Sequence, residues 1–225
     1  MLQAALFDFD GTLVDTTDLI YQGLRYAVRK VLDEEPERDV LMAGVGQPLP
    51  QQMAMLTGGR SGHERLDDEL LETYFGYQKE HHEELIRQFP GVEGSLTRLR
   101  DAGVMLAVVT SKRRPSVDMA LDTFPGLGEV VNKFVTMEDT TEHKPHPAPL
   151  LKGLELLGNV PKEEAAYIGD SPHDVAAARA AGLSCVAVSW GAFSEKSLRD
   201  AEPDYLVPDL HSAVDVLLKM AGPDS

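Results

Sequence analysis

Along the chain, short runs of largely apolar residues alternate with stretches whose apolar positions recur every three or four residues. The runs Ala4–Phe7, Val104–Val109, Lys133–Val135, Ala166–Ile168, Ser184–Val188 and Tyr205–Val207 have the length and composition of strands. The segments Gly94–Ala102, Pro115–Asp122, Pro147–Leu157, Asp174–Ala181 and His211–Met220 carry helical spacing. Gly103, Gly158 and Gly182 each follow one of these helices closely, where a left-handed C-terminal cap favours glycine. Strands that alternate with helices predict an α/β protein built on a parallel sheet.

One stretch interrupts the alternation. From Thr16 to Gln88 the pattern predicts helices at Asp18–Leu32, Leu49–Leu56 and Leu66–Ile86, and no strand. Gly58-Gly59 and Ser61-Gly62 mark a loop between the second and third of these. A block of this kind placed directly after the first strand reads as an inserted helical domain, with Phe89-Pro90-Gly91-Val92 as the return to the core. The expected division is a core of residues 1–15 and 89–225 and an insertion of residues 16–88.

Composition narrows the functional classes. The 225 residues suffice for one or two domains with a buried core. With 21 Lys+Arg against 37 Asp+Glu, the net charge of −16 argues against binding to nucleic acid or anionic lipid. The one cysteine, Cys185, excludes an intrachain disulfide, and its apolar neighbours mark it as a buried structural thiol. Met1–Ala5 lacks the basic and apolar regions of a signal peptide. The apolar run Ala102–Val109 is far shorter than the roughly 20 residues that span a bilayer. A cytoplasmic chain is expected, with no membrane partner.

The chemistry gathers at predicted strand ends. The first strand ends in Asp8-Phe9-Asp10-Gly11-Thr12, the second in Thr110-Ser111-Lys112, and the fourth in Gly169-Asp170-Ser171-Pro172-His173-Asp174. Lys144-Pro145-His146-Pro147 lies just before a helix. Open parallel sheets bind ligands at the carboxyl ends of their strands, so acids, a hydroxyl and a lysine converge on one pocket. That set suits phosphoryl transfer, which uses a carboxylate nucleophile, a divalent metal, a hydroxyl donor and a cation. A calcium loop is disfavoured, because the third acid before the glycine and the closing glutamate are missing.

With those motifs in that order, the sequence resembles the haloacid dehalogenase superfamily, and within it the phosphoglycolate phosphatase-like hydrolases and their pyrophosphate-hydrolysing relatives. The resemblance covers the whole chain. It implies a Rossmann-like parallel sheet with helices on both faces, a helical cap, and a magnesium-dependent phosphatase acting on a small anionic phosphorylated metabolite. Asp8 is implied as the nucleophile and Asp10 as general acid and base. Magnesium is implied at the Asp8 carboxylate, the Asp10 backbone carbonyl and Asp170, with Asp174 acting directly or through water. Thr110 and Lys144 are implied to hold the phosphoryl group, assisted by Gly11, Ser111 and backbone amides. Phosphoglycolate leads as substrate, then pyrophosphate, then a sugar phosphate, with a phosphomutase as a further alternative. Asp10 separates the chain from dehalogenases, and Gly169 stands where β-phosphoglucomutases usually place glutamate. The expected state is a monomer or homodimer. A phospho-accepting receiver module is the competitor from another class, disfavoured by the early position of Asp8 and by the insertion.

Weaker signals remain. In Gly44-Val45-Gly46-Gln47, the loop fits an insertion turn, with Gln47 a candidate for facing substrate or simply part of the turn. His81-His82-Glu83-Glu84 reads as a solvated helix face rather than a zinc motif. His173 either tunes the neighbouring acids or has no direct role, and Trp190 reads as packing. Lys112-Arg113-Arg114 is a run of three cations just before a predicted helix, a position where the helix dipole disfavours them. It is therefore expected to attract the anionic substrate through Arg113 or Arg114, the alternative being a solvated loop.

Overall fold

The computed structural model describes residues 1–58, 60 and 62–222. Its strands are β1 (Ala4–Phe7), β2 (Val14–Asp15), β3 (Arg87–Gln88), β4 (Met105–Val109), β5 (Phe134–Val135), β6 (Ala165–Gly169), β7 (Ser184–Val188) and β8 (Tyr205–Val207). Six of them form one parallel sheet in the order β5-β4-β1-β6-β7-β8. Leu6 of β1 is in register with Ala107 on one side and Tyr167 on the other. Every residue of β1 is buried, as a central strand covered on both faces requires.

The two faces are covered by different helices. Ala4, Leu6, Val109, Tyr167 and Cys185 share a buried cluster with residues of the helices Ala148–Leu156 and Pro172–Ala181. Alternation along each strand sends Phe7, Val108 and Ile168 to the opposite side, where helices Val92–Asp101 and Leu210–Ala221 pack together. The helix that opens at Pro172 is closed at its start by a reciprocal pair, the Ser171 hydroxyl accepting from Asp174 N–H and the Asp174 carboxylate accepting from Ser171 N–H. Gly182, at φ 77°, ends the same helix in the left-handed conformation predicted for it.

By contacts the chain divides into two compact units, Met1–Asp15 with the chain from Gln88 onward, and Thr16–Arg87. The second contains helices Thr17–Leu32, Arg38–Met42, Leu49–Thr57 and His63–Leu85. Its apolar centre includes Leu24, Leu41, Met53, Leu70 and Tyr74. Two of the predicted loop residues, Gly59 and Ser61, lie outside the described residues.

Three sequence expectations change. Arg87–Gln88 forms a strand where none is predicted before Phe89, because two residues carry no periodicity. Helices Arg38–Met42, Pro125–Val130 and Glu195–Asp200 were missed for the same reason, each being under two turns. His82 is buried rather than solvated, completing an inward stripe of Leu70, Tyr74, Gln78 and His82 at four-residue spacing. His81 beside it remains partly exposed.

Leu6 sits at the middle of this packing, so Leu6→Ala is expected to cost about 2–5 kcal/mol through lost burial and a residual cavity. Urea unfolding followed by the fluorescence of the one tryptophan, Trp190, measures it.

Candidate active site

Strand order places the conspicuous side chains together. Asp8 follows β1, Thr110 follows β4 and Asp170 follows β6, and these are three neighbouring central strands. From β1 the chain continues to β4 on one side and later to β6 on the other, which makes this the switch point where such sheets bind ligands. The sheet ladders continue just past the strands: Asp8 N–H donates to Ile168 O at 2.8 Å and Thr110 N–H to Val135 O at 2.9 Å.

Lys144 is the centre of the group. Its Nζ donates to Asp174 Oδ1 at 2.7 Å and to the Tyr167 hydroxyl at 2.9 Å. It also forms an ion pair with Asp8 Oδ1 at 2.9 Å, the contact through which that buried carboxylate oxygen meets positive charge. Asp174 is fully buried, and its other oxygen, Oδ2, accepts from Ser171 N–H at 3.0 Å and Ser171 Oγ at 2.7 Å. Asp170 Oδ2 accepts from Ala192 N–H at 2.8 Å.

Space around these acids is tight enough to require glycine. Gly11 turns the chain at φ 75°, and a Cβ there would lie 2.3 Å from Asp170 Oδ2. A Cβ at Gly191 would lie 2.1 Å from the same oxygen, and one at Gly169 would lie 2.5 Å from the Asp174 carboxylate. Trp190, next to Gly191, donates its indole N–H to Thr12 O at 3.2 Å and meets Phe89 edge-on, a packing and tethering role.

The electrostatics are strained in a direction that favours a cation. Oxygens of Asp8, Asp170 and Asp174 lie within 4.8 Å of one another. Burial pushes Asp8 up to about 7, opposed by Lys144 and reinforced by the charge of Asp174. Burial, with the charges of Asp174 and Asp8, also drives Asp170 well above the usual carboxylate range. For Lys144, burial opposes the ammonium, but the charges of Asp174 and Asp8 outweigh it and hold it protonated. Three buried acids gathered around this ammonium form a hard oxygen donor set that a divalent metal ion fits.

Other predicted residues lie elsewhere or carry different partners. The Asp10 carboxylate is outside the three-acid cluster and pairs with Lys112 Nζ at 2.8 and 3.1 Å. Thr110 Oγ1 accepts from Lys112 N–H at 3.1 Å, and Ser111 stands between them in the chain. Arg113 reaches Glu138 at 3.4 Å and Arg114 reaches Asp139 at 3.7 Å, so the basic run brings its own counter-charges. Gln47 belongs to the helical unit, in a turn where its carbonyl accepts from Gln52 Nε2 at 2.7 Å. His173 is lowered by burial first, with Lys144 adding to the effect. Cys185 is buried, and that burial raises its thiol. Sequence reasoning missed Tyr167, Ser171 as an acid-holding cap, and the backbone at Ala192. Of these only Ser171-x-x-Asp174 carries a readable signal, the reciprocal capping pattern.

A family model for haloacid dehalogenase-like hydrolases matches residues 5–188. The chain belongs to that family. Among curated relatives, a candidate pyrophosphatase PpaX of Caldanaerobacter subterraneus subsp. tengcongensis is 37% identical over 216 residues, covering 96% of this chain and 94% of the relative. Pyrophosphatase PpaX of Bacillus cereus strain AH820 is 30% identical over 219 residues, covering 97% and 98%. Among solved structures, the crystal structure of a predicted phosphatase from Clostridium acetobutylicum matches with a TM-score of 0.85 at 25% identity, covering 97% and 99%. Membership in the haloacid dehalogenase-like hydrolases sets aside the receiver reading. Among the described residues, no helix is long and apolar enough to cross a membrane.

Two outcomes follow from this geometry. Gly191→Ala is expected to push Asp170 aside and weaken divalent-cation binding roughly 10- to 100-fold, read by calorimetric titration with magnesium. Because the folded Asp8 binds its proton up to about 7, well above its ordinary 3.8, its contribution to the metal-free protein's stability is full below about pH 4 and is lost as pH rises through 7. A divalent ion held by Asp8 would compete with that proton. The rise in melting temperature on adding magnesium is therefore expected to be larger near pH 8 than near pH 5.5, and a rise of equal size at both would contradict it.

Proposed function

We propose that this hydrolase is a magnesium-dependent phosphatase that works through an aspartyl-phosphate on Asp8, with inorganic pyrophosphate as its leading substrate. The observation that carries the reading is Asp8 itself, a buried carboxylate at the switch point with a lysine ammonium 2.9 Å from one of its oxygens. Pyrophosphate moves ahead of phosphoglycolate because the curated relatives that the chain covers almost end to end are named as pyrophosphatases. A sugar phosphate comes third.

The residues divide the work as follows. An Asp8 oxygen attacks phosphorus, and the bond to the leaving oxygen breaks. Asp10, held in place by Lys112, gives that oxygen a proton and then takes one from the water that cleaves the Asp8–phosphorus bond, releasing phosphate and restoring both acids. Asp8 and Asp170, with the Asp10 backbone carbonyl, would hold the metal. Magnesium would supply charge stabilisation for the phosphoryl oxygens. Both oxygens of Asp174 already accept hydrogen bonds, which supports a role outside direct coordination, through water. The Thr110 hydroxyl accepts from Lys112 N–H, which leaves its proton to donate to a phosphoryl oxygen. Lys144 offsets charge on Asp8 and on the phosphoryl group. The helical unit is assigned as the substrate-selecting cap, with Gln47 the residue to test. The lone cysteine suits the reducing cytoplasm.

Steady-state assays with pyrophosphate, phosphoglycolate and p-nitrophenyl phosphate test the reading. Multiple turnovers are expected with magnesium and none with a chelator. Asp8→Asn is expected to abolish turnover, and Asp10→Asn to lower kcat roughly 10²- to 10⁴-fold. Turnover that survives Asp8→Asn would refute the assignment, and a higher kcat/KM for phosphoglycolate would move it to first place.

A further inference from the structure

Tyr167 is fully buried in the middle of β6, within a cluster whose other buried members are apolar. A phenol hydroxyl in such surroundings needs partners. It has three. Lys144 Nζ donates to it at 2.9 Å, and its own proton lies between Val109 O at 2.9 Å and Asp174 Oδ1 at 3.1 Å. These partners come from separate stretches of chain. Val109 ends β4, and its carbonyl belongs to the peptide that leads into Thr110. Asp174 lies in the first turn of the helix Pro172–Ala181.

The geometry matters because of how an ammonium is aimed. A lysine head carries three N–H bonds on a flexible stem. Two of those of Lys144 are taken by Asp174 and Tyr167, and a tetrahedral nitrogen with two directions held has its third determined. The remaining N–H is the one left for Asp8, 2.9 Å away, and for a phosphoryl group on it. Without the hydroxyl, the head could turn about its last bond while still pairing with Asp174. We propose that Tyr167 is a positioning residue, whose hydroxyl aims the Lys144 ammonium at Asp8 and ties it to the Val109–Thr110 peptide and to Asp174. Its catalytic consequence rests on the phosphatase reading, whereas the positioning itself does not.

The test is Tyr167→Phe, which keeps the ring and removes the hydroxyl. With pyrophosphate, kcat is expected to fall about 10- to 100-fold, as losses of groups that orient a reacting side chain commonly do, with KM little changed. In a Lys144→Met background the same substitution is expected to cost less than about 3-fold, because Tyr167 acts through the lysine. A purely structural role would instead multiply in full onto Lys144→Met. A second readout needs no activity. The Lys144 ammonium, buried and hydrogen-bonded, is expected to give a proton–nitrogen NMR signal, assigned by its loss in Lys144→Met. That signal is expected to disappear or shift strongly in Tyr167→Phe at temperatures well below unfolding. An unchanged signal, a wild-type kcat in Tyr167→Phe, or a full multiplicative loss in the double variant would each overturn the proposal. If the signal responds as expected while the unmodified enzyme hydrolyses no phosphorylated substrate, the positioning role stands and the phosphatase reading fails.

Discussion

Three carboxylates buried within a few ångströms of one another at the end of a sheet cannot all stay ionised unless positive charge is placed among them. Lys144 is the charge this chain supplies, and most of the surrounding structure can be read as what keeps it there. Asp174 holds it from the start of one helix and Tyr167 from the middle of a strand. Asp174 is itself held by Ser171, so a helix cap doubles as a support for the lysine. Burial, reinforced by the charge of Asp174, pushes Asp8 and Asp170 toward their protonated forms, and the three-acid group fits a divalent cation.

Close packing is the second constraint on the same group. Asp170 is wedged between Gly11 and Gly191, and Asp174 lies against Gly169, each approach leaving no room for a methyl group. A glutamate at position 169 would have to displace Asp174, and with it one of the two aligned partners of Lys144. The loop carrying Gly191 also brings the Ala192 amide to Asp170 and the Trp190 indole to Thr12, so one turn after β7 braces two of the strand ends. The site is therefore a property of the packed sheet edge as much as of its acidic residues.

The basic run shows how a sequence feature changes meaning in three dimensions. Lys112-Arg113-Arg114 is conspicuous in a chain of net charge −16 and invites a role as an electropositive mouth. Folded, Lys112 is nearly buried against Asp10, and the two arginines face Glu138 and Asp139. Much of the charge is met locally, and Lys112 pairs with the Asp10 carboxylate through both of its oxygens.

Local patterns were enough for the sheet strands, the longer helices, the inserted helical block and the order of the acidic, hydroxyl and lysine motifs. Each of these depends on residue type and short-range spacing, which the chain carries in plain order. What lay beyond reach depends on partners far apart in sequence. Asp10 and Lys112 are 102 positions apart, Val109 and Tyr167 are 58, and Thr12 and Trp190 are 178. A tyrosine in a strand and a histidine in a helix look the same in sequence whether they pack, pair or face water. Tyr167 became a hub, and His82 an inward residue, only because strand order and helix packing decided which side chains met. The sequence by itself determined which groups were present and on which elements. Only the tertiary structure decided their pairing, because a hydrogen bond or ion pair reads distance and direction, and neither is written in the spacing along the chain.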